Sequence, residues 1–253
     1  MMKKLQDKVA IVVGGGGAIG RAIALKLSAE GARVVVIDMM QESADRVAHE
    51  ITKLGGESSA YALDITCYDK VKETFDGIAG HFGRIDILVN SAGGSAREKM
   101  ALYQELPIEV LDWMLDVNLN GPLYCIRAAV NHLIKQNYGK IVNISSIVAL
   151  GGMSKCVDYA AAKGGIIAAT KSLAIELGSY NINVNCVSPG KVQRSTDDID
   201  QAAFAKQYTY LNRICTQDDI ADMVLYLTLP ESDYITGQNM VVDGGRSLGL
   251  KGS

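Results

Sequence analysis

Short apolar runs alternate along this chain with longer segments in which apolar residues recur every three to four positions. The runs Val9–Val13, Arg33–Asp38, Ser58–Leu63, Ile85–Asn90, Lys140–Ser145, Asn181–Val187 and Asn239–Val242 are expected as strands. The first six are short and largely apolar, as strands covered on both faces should be. Between them, Ile19–Ala29, Gln41–Leu54, Tyr68–Phe82, Pro107–Asn118, Leu123–Gln136 and Asp158–Leu177 are expected as helices. Gly31, Gly55, Gly83 and Gly178 stand where four of those helices should close. Repeated strand–helix–strand order requires parallel pairing through right-handed crossovers. The expected fold class is therefore α/β: a doubly wound parallel sheet with helices on both faces, in a single domain spanning 1–253. The long irregular connection Ser188–Gln217 is where function is expected to concentrate.

Composition adds exclusions. A formal net charge of −3 without a Lys/Arg run argues against nucleic acid or an anionic membrane as partner. Met1-Met2-Lys3-Lys4 leads into polar residues rather than an apolar stretch, so no signal peptide is expected. No apolar run approaches a membrane span. Five dispersed cysteines with no Cys-x-x-Cys suit reduced thiols in a cytoplasm, the expected location. Three scattered histidines lack metal-ligand spacing, and no metal is expected.

The first strand runs into Gly14-Gly15-Gly16-Gly17-Ala18-Ile19-Gly20 and then a helix. Glycines there permit a tight turn and let backbone N–H groups and a helix N-terminus approach a pyrophosphate, and Gly15-x-Gly17-x-x-Gly20 satisfies the dinucleotide fingerprint. The sheet is thus expected to be Rossmann-like. Asp38, ending the second strand, can accept both adenosine ribose hydroxyls and would repel a 2′-phosphate, and Met39 and Met40 supply no cation beside it. NAD is favoured over NADP. Asp64 follows the third strand, where it could meet the adenine or simply form an Asx turn. Asn90-Ser91-Ala92-Gly93 follows the fourth, as small residues passing the cofactor or as ordinary turn chemistry.

Tyr159-Ala-Ala-Ala-Lys163, with Ser146 thirteen residues upstream, carries the chemistry. A phenol ordinarily titrates near 10, too high for proton transfer at neutral pH. A lysine one helical turn away stabilises the phenolate, and a serine hydroxyl can hold the oxygen that gains or loses the proton. The only other Tyr-x-x-x-Lys pair, Tyr68 with Lys72, opens a charged amphipathic stretch and reads as a solvated helix face.

Together these segments resemble the short-chain dehydrogenase/reductase family along nearly the whole chain. The matching pieces are the glycine loop, Asp64, Asn90-Ser-Ala-Gly93, Asp116-Val-Asn118, Ile141-Val-Asn-Ile-Ser-Ser146, Tyr159…Lys163, Asn185-Cys-Val-Ser-Pro-Gly190 and Ile235-Thr-Gly-Gln…Val-Asp-Gly-Gly245. The resemblance implies four catalytic residues. Ser146 holds the substrate oxygen and Tyr159 moves the proton. Lys163 binds the nicotinamide ribose and tunes Tyr159, and Asn118 positions a relay water. It also implies cofactor contacts from Gly14, Gly17, Ala18, Ile19, Asp38, Asp64, Ile65, Asn90, Ala92, Gly93, Tyr159, Lys163, Pro189, Gly190 and Val192. The chain departs from the family pattern at Val13 and Ala18 in the loop, at Ser91, and at Arg194, where a threonine is usual.

Substrate contacts are expected from 94–99, 147–158 and 191–213. These hold Arg97, Lys155, Lys191, Arg194 and Arg213, so an anionic substrate group and plain solvated loop charge both stay open. With Ser146 and Tyr159, the residues Arg97, Lys155 and Arg194 form the expected substrate set; Met153 and Cys156 suit either pocket or core. The leading expectation is an NAD-dependent oxidoreductase interconverting a small or medium secondary alcohol and its ketone. A 3-oxoacyl-thioester reductase shares the motif set, and a third reading is a non-catalytic dinucleotide-binding protein. Two small-residue helices, Gly121–Gln136 and Asp158–Leu177, suggest a homotetramer by family habit.

Overall fold

The computed structural model describes residues 3–94, 99–193 and 200–249. Seven parallel strands form one sheet in the order β3-β2-β1-β4-β5-β6-β7. They are β1 (Val9–Val13), β2 (Arg33–Asp38), β3 (Ser58–Ala62), β4 (Ile87–Asn90), β5 (Gly139–Ile144), β6 (Ile182–Pro189) and β7 (Asn239–Val242). Chain order reverses between β1 and β4, so the crevice at their carboxyl ends is the natural ligand site of this topology.

The helices are α1 (Ala18–Ala29), α2 (Gln41–Lys53), α3 (Tyr68–Phe82), α4 (Ile108–Leu115), α5 (Gly121–Gln136), a short α6 (Val148–Gly151), α7 (Val157–Leu177), α8 (Gln201–Tyr208) and α9 (Gln217–Thr228). Strand periodicity divides the core. Ala10 and Val12 of β1 with Val34 and Val36 of β2 pack under α1, α2 and α9. Val9, Ile11, Val13, Val35 and Ile37 face α3, α5 and α7 instead. Both faces of the sheet are covered, which is why its central strands read as apolar runs.

Three features differ from the sequence reading. The connection Ser188–Gln217 contains a helix, α8, which Asp200 caps by accepting from the N–H groups of Ala202 and Ala203. Helix α9 was not expected, although Thr216 and Asp219 form a capping box ahead of buried Ile220, Val224 and Leu227. Finally, α4 and α5 join through a π-helical turn at Asp116–Asn120. Pro122 has no N–H for the carbonyl of Asn118 four residues back, and Gly121 donates instead to Asp116, five residues back. Left-handed glycines follow α1, α2 and α3 as expected; α7 also closes at Gly178, which is right-handed and leads into a short turn ended by left-handed Asn181.

Candidate active site

A cavity of about 1990 Å3 runs along the carboxyl ends of β1, β4, β5 and β6. The glycine loop borders one end, and the N-terminal turns of α7 border the other.

The loop is shaped for close backbone approach. A Cβ on Gly14, whose φ is +74°, would fall 2.5 Å from the backbone of Ala92, and one on Gly20 would strike the Gly14 carbonyl. Gly17 differs: its Cβ would meet only the Gly14 oxygen at 3.4 Å. The fold itself therefore requires Gly14 and Gly20, while Gly17 leaves room on the cavity side. Among the described residues no side chain caps α1 and no acid stands in its first turn, so the N–H groups at Ala18 and Ile19, which border the cavity, have no side-chain acceptor there. An uncapped helix N-terminus over a glycine turn fits a dinucleotide pyrophosphate.

At the end of β2, the Asp38 carboxylate accepts from the N–H groups of Gly16 at 3.0 Å and Met40 at 3.2 Å. Sequence inspection of its neighbours missed Arg46, which reaches back one helical turn and donates to the Gly16 carbonyl at 2.9 Å. Asp64 does not border the cavity. Its Oδ1 accepts from the N–H and hydroxyl of Thr66, an Asx turn leading toward α3, and the Thr66 hydroxyl holds its carboxyl below the usual carboxylate range. Ile65 is buried against Gly121. Asn90 is likewise interior, its amide donating to Asn143, which in turn donates to Thr170 of α7. That chain ties β4, β5 and α7 together beneath the cavity. Ser91, Gly93 and Gly94 border the cavity, and Ala92 packs against Gly14.

Asn118, Ser146, Tyr159 and Lys163 all border this cavity. Tyr159 and Lys163 share one face of α7, with Nζ 5.9 Å from the phenol ring centre. Lys163 is 4% exposed and donates to the Ile144 carbonyl at 3.0 Å, with no carboxylate partner among the described residues. Burial pushes its pKa down to about 8. Asn118 sits in the π turn, fully buried, with its amide donating to the carbonyls of Gly94 at 2.9 Å and Met114 at 3.1 Å. Its Oδ1 has no partner among the described residues. A Cβ on Gly93 would lie 2.7 Å from that oxygen and 3.1 Å from Lys163 Nζ, so the two groups converge on one point beside Gly93. Ser146 Oγ accepts from the Val148 N–H at 3.2 Å, starting α6, and still faces the cavity. Tyr68 and Lys72 lie elsewhere, Lys72 paired with Asp76 on an exposed face.

Pro189 and Gly190 end β6 at the cavity wall, and Val192 bridges to Cys215 beside them. Lys155, Lys191, Met153 and Cys156 border the cavity as well. Arg97 and Arg194 lie outside the described residues. Arg213 leaves the candidate set, because its guanidinium is committed to Asp219 through contacts of 2.6 and 2.7 Å at the start of α9. Sequence reasoning missed Arg246, which borders the cavity from beyond β7 and lies over the rings of Phe204 and Tyr208. Among the described residues, no group of three or more His, Cys, Asp or Glu side chains could hold a metal ion. No helix of the described residues is long and apolar enough to cross a membrane.

A family model described as enoyl-(acyl carrier protein) reductase matches residues 15–247. The chain is 36% identical over 245 residues to the 3-oxoacyl-(acyl carrier protein) reductase FabG of Thermotoga maritima, covering 96% of this chain and 98% of that one. It is 36% identical over 253 residues to the short-chain reductase protein NovJ of Streptomyces niveus, covering 95% and 94%. A crystal structure of NAD+-bound xylitol dehydrogenase superposes with a TM-score of 0.90 at 30% identity, covering 96% of this chain and all of the other. With its switch-point crevice, glycine loop and Tyr159…Lys163 face, the chain belongs to the short-chain dehydrogenase/reductase family of oxidoreductases.

Proposed function

We propose that the protein interconverts a secondary alcohol and its ketone with NAD, using Asn118, Ser146, Tyr159 and Lys163. The observation that carries this reading is the meeting of those four side chains in the same cavity as the glycine loop. Bound at that loop, a nicotinamide dinucleotide supplies hydride exchange with the substrate carbon. The chain's own part is alignment and proton movement. Ser146 Oγ, half-buried and already fixed by the Val148 N–H, donates to the substrate oxygen. Tyr159 gives or takes the proton at that oxygen. Lys163 supports the phenolate and shares the proton, and the free Oδ1 of Asn118 accepts from the relay that returns it to solvent.

Asp38 supports NAD: its carboxylate is fixed by two backbone N–H groups at the loop, where a 2′-phosphate would meet its charge. One observation favours NADP as a second reading, the Arg46 guanidinium beside Gly16. Relatives named 3-oxoacyl-(acyl carrier protein) reductase likewise favour a 3-oxoacyl thioester as the alternative substrate. A cytoplasmic homotetramer is the assembly we propose, on the small-residue sequences of α5 and α7.

The test is reduction of NAD+ and NADP+ across secondary alcohols, hydroxy acids, sugars and 3-hydroxyacyl thioesters. NAD+ should be preferred by tenfold or more in kcat/KM, and Asp38→Ser should reverse the preference because Arg46 is already in place. Absence of turnover with both cofactors across that panel defeats the reading.

A further inference from the structure

We propose that Arg246 is a substrate-binding residue that selects for an oxyanion, a carboxylate or phosphate, on the molecule being oxidised or reduced. The inference rests on the oxidoreductase reading above and adds the chemistry of the substrate.

Arg246 is carried by a built turn. The Asp243 carboxylate, itself buried, accepts from the Gly245 N–H at 2.8 Å and from the Ser247 N–H at 2.7 Å, bracketing Arg246 from both sides. Gly244 and Gly245 adopt left-handed φ angles of 65° and 83°, which make that turn possible. The turn is anchored where the cavity is. Gly190 donates to the Val242 carbonyl at 2.9 Å on one side, and Tyr210 donates to the Gly244 carbonyl at 2.8 Å on the other. The backbone position of Arg246 is therefore fixed against both the end of β6 and the segment after α8.

The guanidinium is positioned without being neutralised. It lies 5.1 Å from the ring centre of Phe204 and 5.6 Å from that of Tyr208, on α8. Aromatic faces hold a guanidinium in place while its in-plane N–H groups stay available. Among the described residues it forms no ion pair, unlike Arg213, Arg84 and Arg21, which meet Asp219, Asp86 and Glu50. Lys155 and Lys191 border the same cavity. Three carboxylates among the described residues border it too: Glu50 meets Arg21, Asp218 meets Lys26, and Asp158 accepts from the Tyr159 N–H at the start of α7. A planar fork with no ion pair among the described residues, over a cavity that Lys155 also borders, suits bidentate capture of an oxyanion.

The test is calorimetric titration of 3-oxobutanoate and its methyl ester into protein saturated with NAD+. That cofactor form cannot reduce a ketone, so binding is read apart from turnover. The acid should bind at least tenfold more tightly than the ester. Arg246→Gln should remove most of that difference while leaving ester and NAD+ affinities within twofold, and Arg246→Lys should restore part of it. Equal weakening of acid and ester would show that Arg246 only latches α8; equal affinity of both in the wild type excludes the substrate's own carboxylate and, without a CoA-confined defect in the turnover arm below, overturns the proposal. In a turnover arm, 3-oxobutanoyl-CoA is compared with the uncharged N-acetylcysteamine thioester. A defect of Arg246→Gln confined to the CoA thioester assigns the oxyanion to the carrier phosphate, and one confined to 3-oxobutanoate assigns it to the substrate's own carboxylate. Discriminating binding without turnover of any alcohol would instead refute the oxidoreductase reading and leave the anion site standing.

Discussion

Two buried lysines abut opposite ends of β5. Lys140, near its amino end, is 1% exposed and donates to Asn183 at 2.8 Å and Asp233 at 2.5 Å. Lys163, at its carboxyl end, is 4% exposed and donates to the Ile144 carbonyl, with no counter-ion among the described residues. The contrast extends to neighbouring groups. At the amino end, buried Asp86 takes both contacts of Arg84, the Val9 N–H and Lys8. At the carboxyl end, the Oδ1 atoms of Asn118 and Asn90 lack partners among the described residues. Burying a polar group without a partner costs free energy, so such groups persist only where something other than stability keeps them. The carboxylates and lysines of the amino end close on each other, leaving only Arg33 Nε unpartnered there among the described residues, whereas Lys163 and Asn118 at the other end border the cavity and keep hydrogen-bonding capacity for what enters it.

That contrast breaks most visibly at Tyr159. If the carboxyl end is reserved for chemistry, Tyr159→Phe should lower turnover by roughly a thousandfold. NAD+ affinity, followed by fluorescence titration, should stay within about twofold; near-normal turnover removes Tyr159 from its proposed role. At the other end, Asp86→Ala strands Arg84 and the Val9 N–H. A loss of about 2–4 kcal/mol in urea unfolding is expected, below the range for a fully buried pair because Arg84 is part-exposed. Kinetic constants of the folded variant should hold.

The two lysines give the sharpest pairing. Lys140→Met should destabilise by about 1–3 kcal/mol, the worth of lost hydrogen bonds to a charged group, with activity preserved. Lys163→Met should be neutral or stabilising, since it removes a desolvated amine, yet cost about a hundredfold in turnover. Equal destabilisation by both would end the distinction between the ends of the sheet.

Much of this was legible in the sequence because the signals are local. Strand runs, the glycine turn and the Tyr159…Lys163 helix face each lie within a few residues. Helix α9 was equally local, and the Thr216…Asp219 box marks it, but a moderately apolar stretch after a long polar segment hid it. What escaped was non-local. Arg46 and Gly16 meet only because α2 folds back over the loop, and Arg246 reaches Phe204 only because β7 ends beside β6. The Asx turn at Asp64 was weighed against an adenine contact, and residue spacing cannot rank a side chain's own backbone against a ligand. Asn118 is a catalytic candidate through the family resemblance, placed at the end of the expected helix Pro107–Asn118. A π turn centred on it depends on the missing N–H of Pro122, a chemical signal that amphipathic periodicity does not register.

Titration separates the two ends with the smallest effect per step. Burial lowers Lys163 from 10.5 to about 8, so the folded protein gives up this proton before the unfolded chain does. Below pH 8 both states hold it and the cost of burying the charge is fully present. Between about 8 and 10.5 the unfolded chain binds more protons, and this group's contribution to stability must rise with pH, by about 1 kcal/mol per unit. The measurement is the difference in unfolding free energy between wild type and Lys163→Met, which cancels other titrating groups. It should grow in favour of the wild type across that window, while Lys140→Met keeps the rise because Lys163 is intact. The same proton should appear in catalysis. In alcohol oxidation, kcat/KM should increase with pH through an inflection near 8 belonging to Lys163, and Lys163→Met should abolish that inflection. A profile unchanged in Lys163→Met would leave Lys163 as buried structure, no different in kind from Lys140.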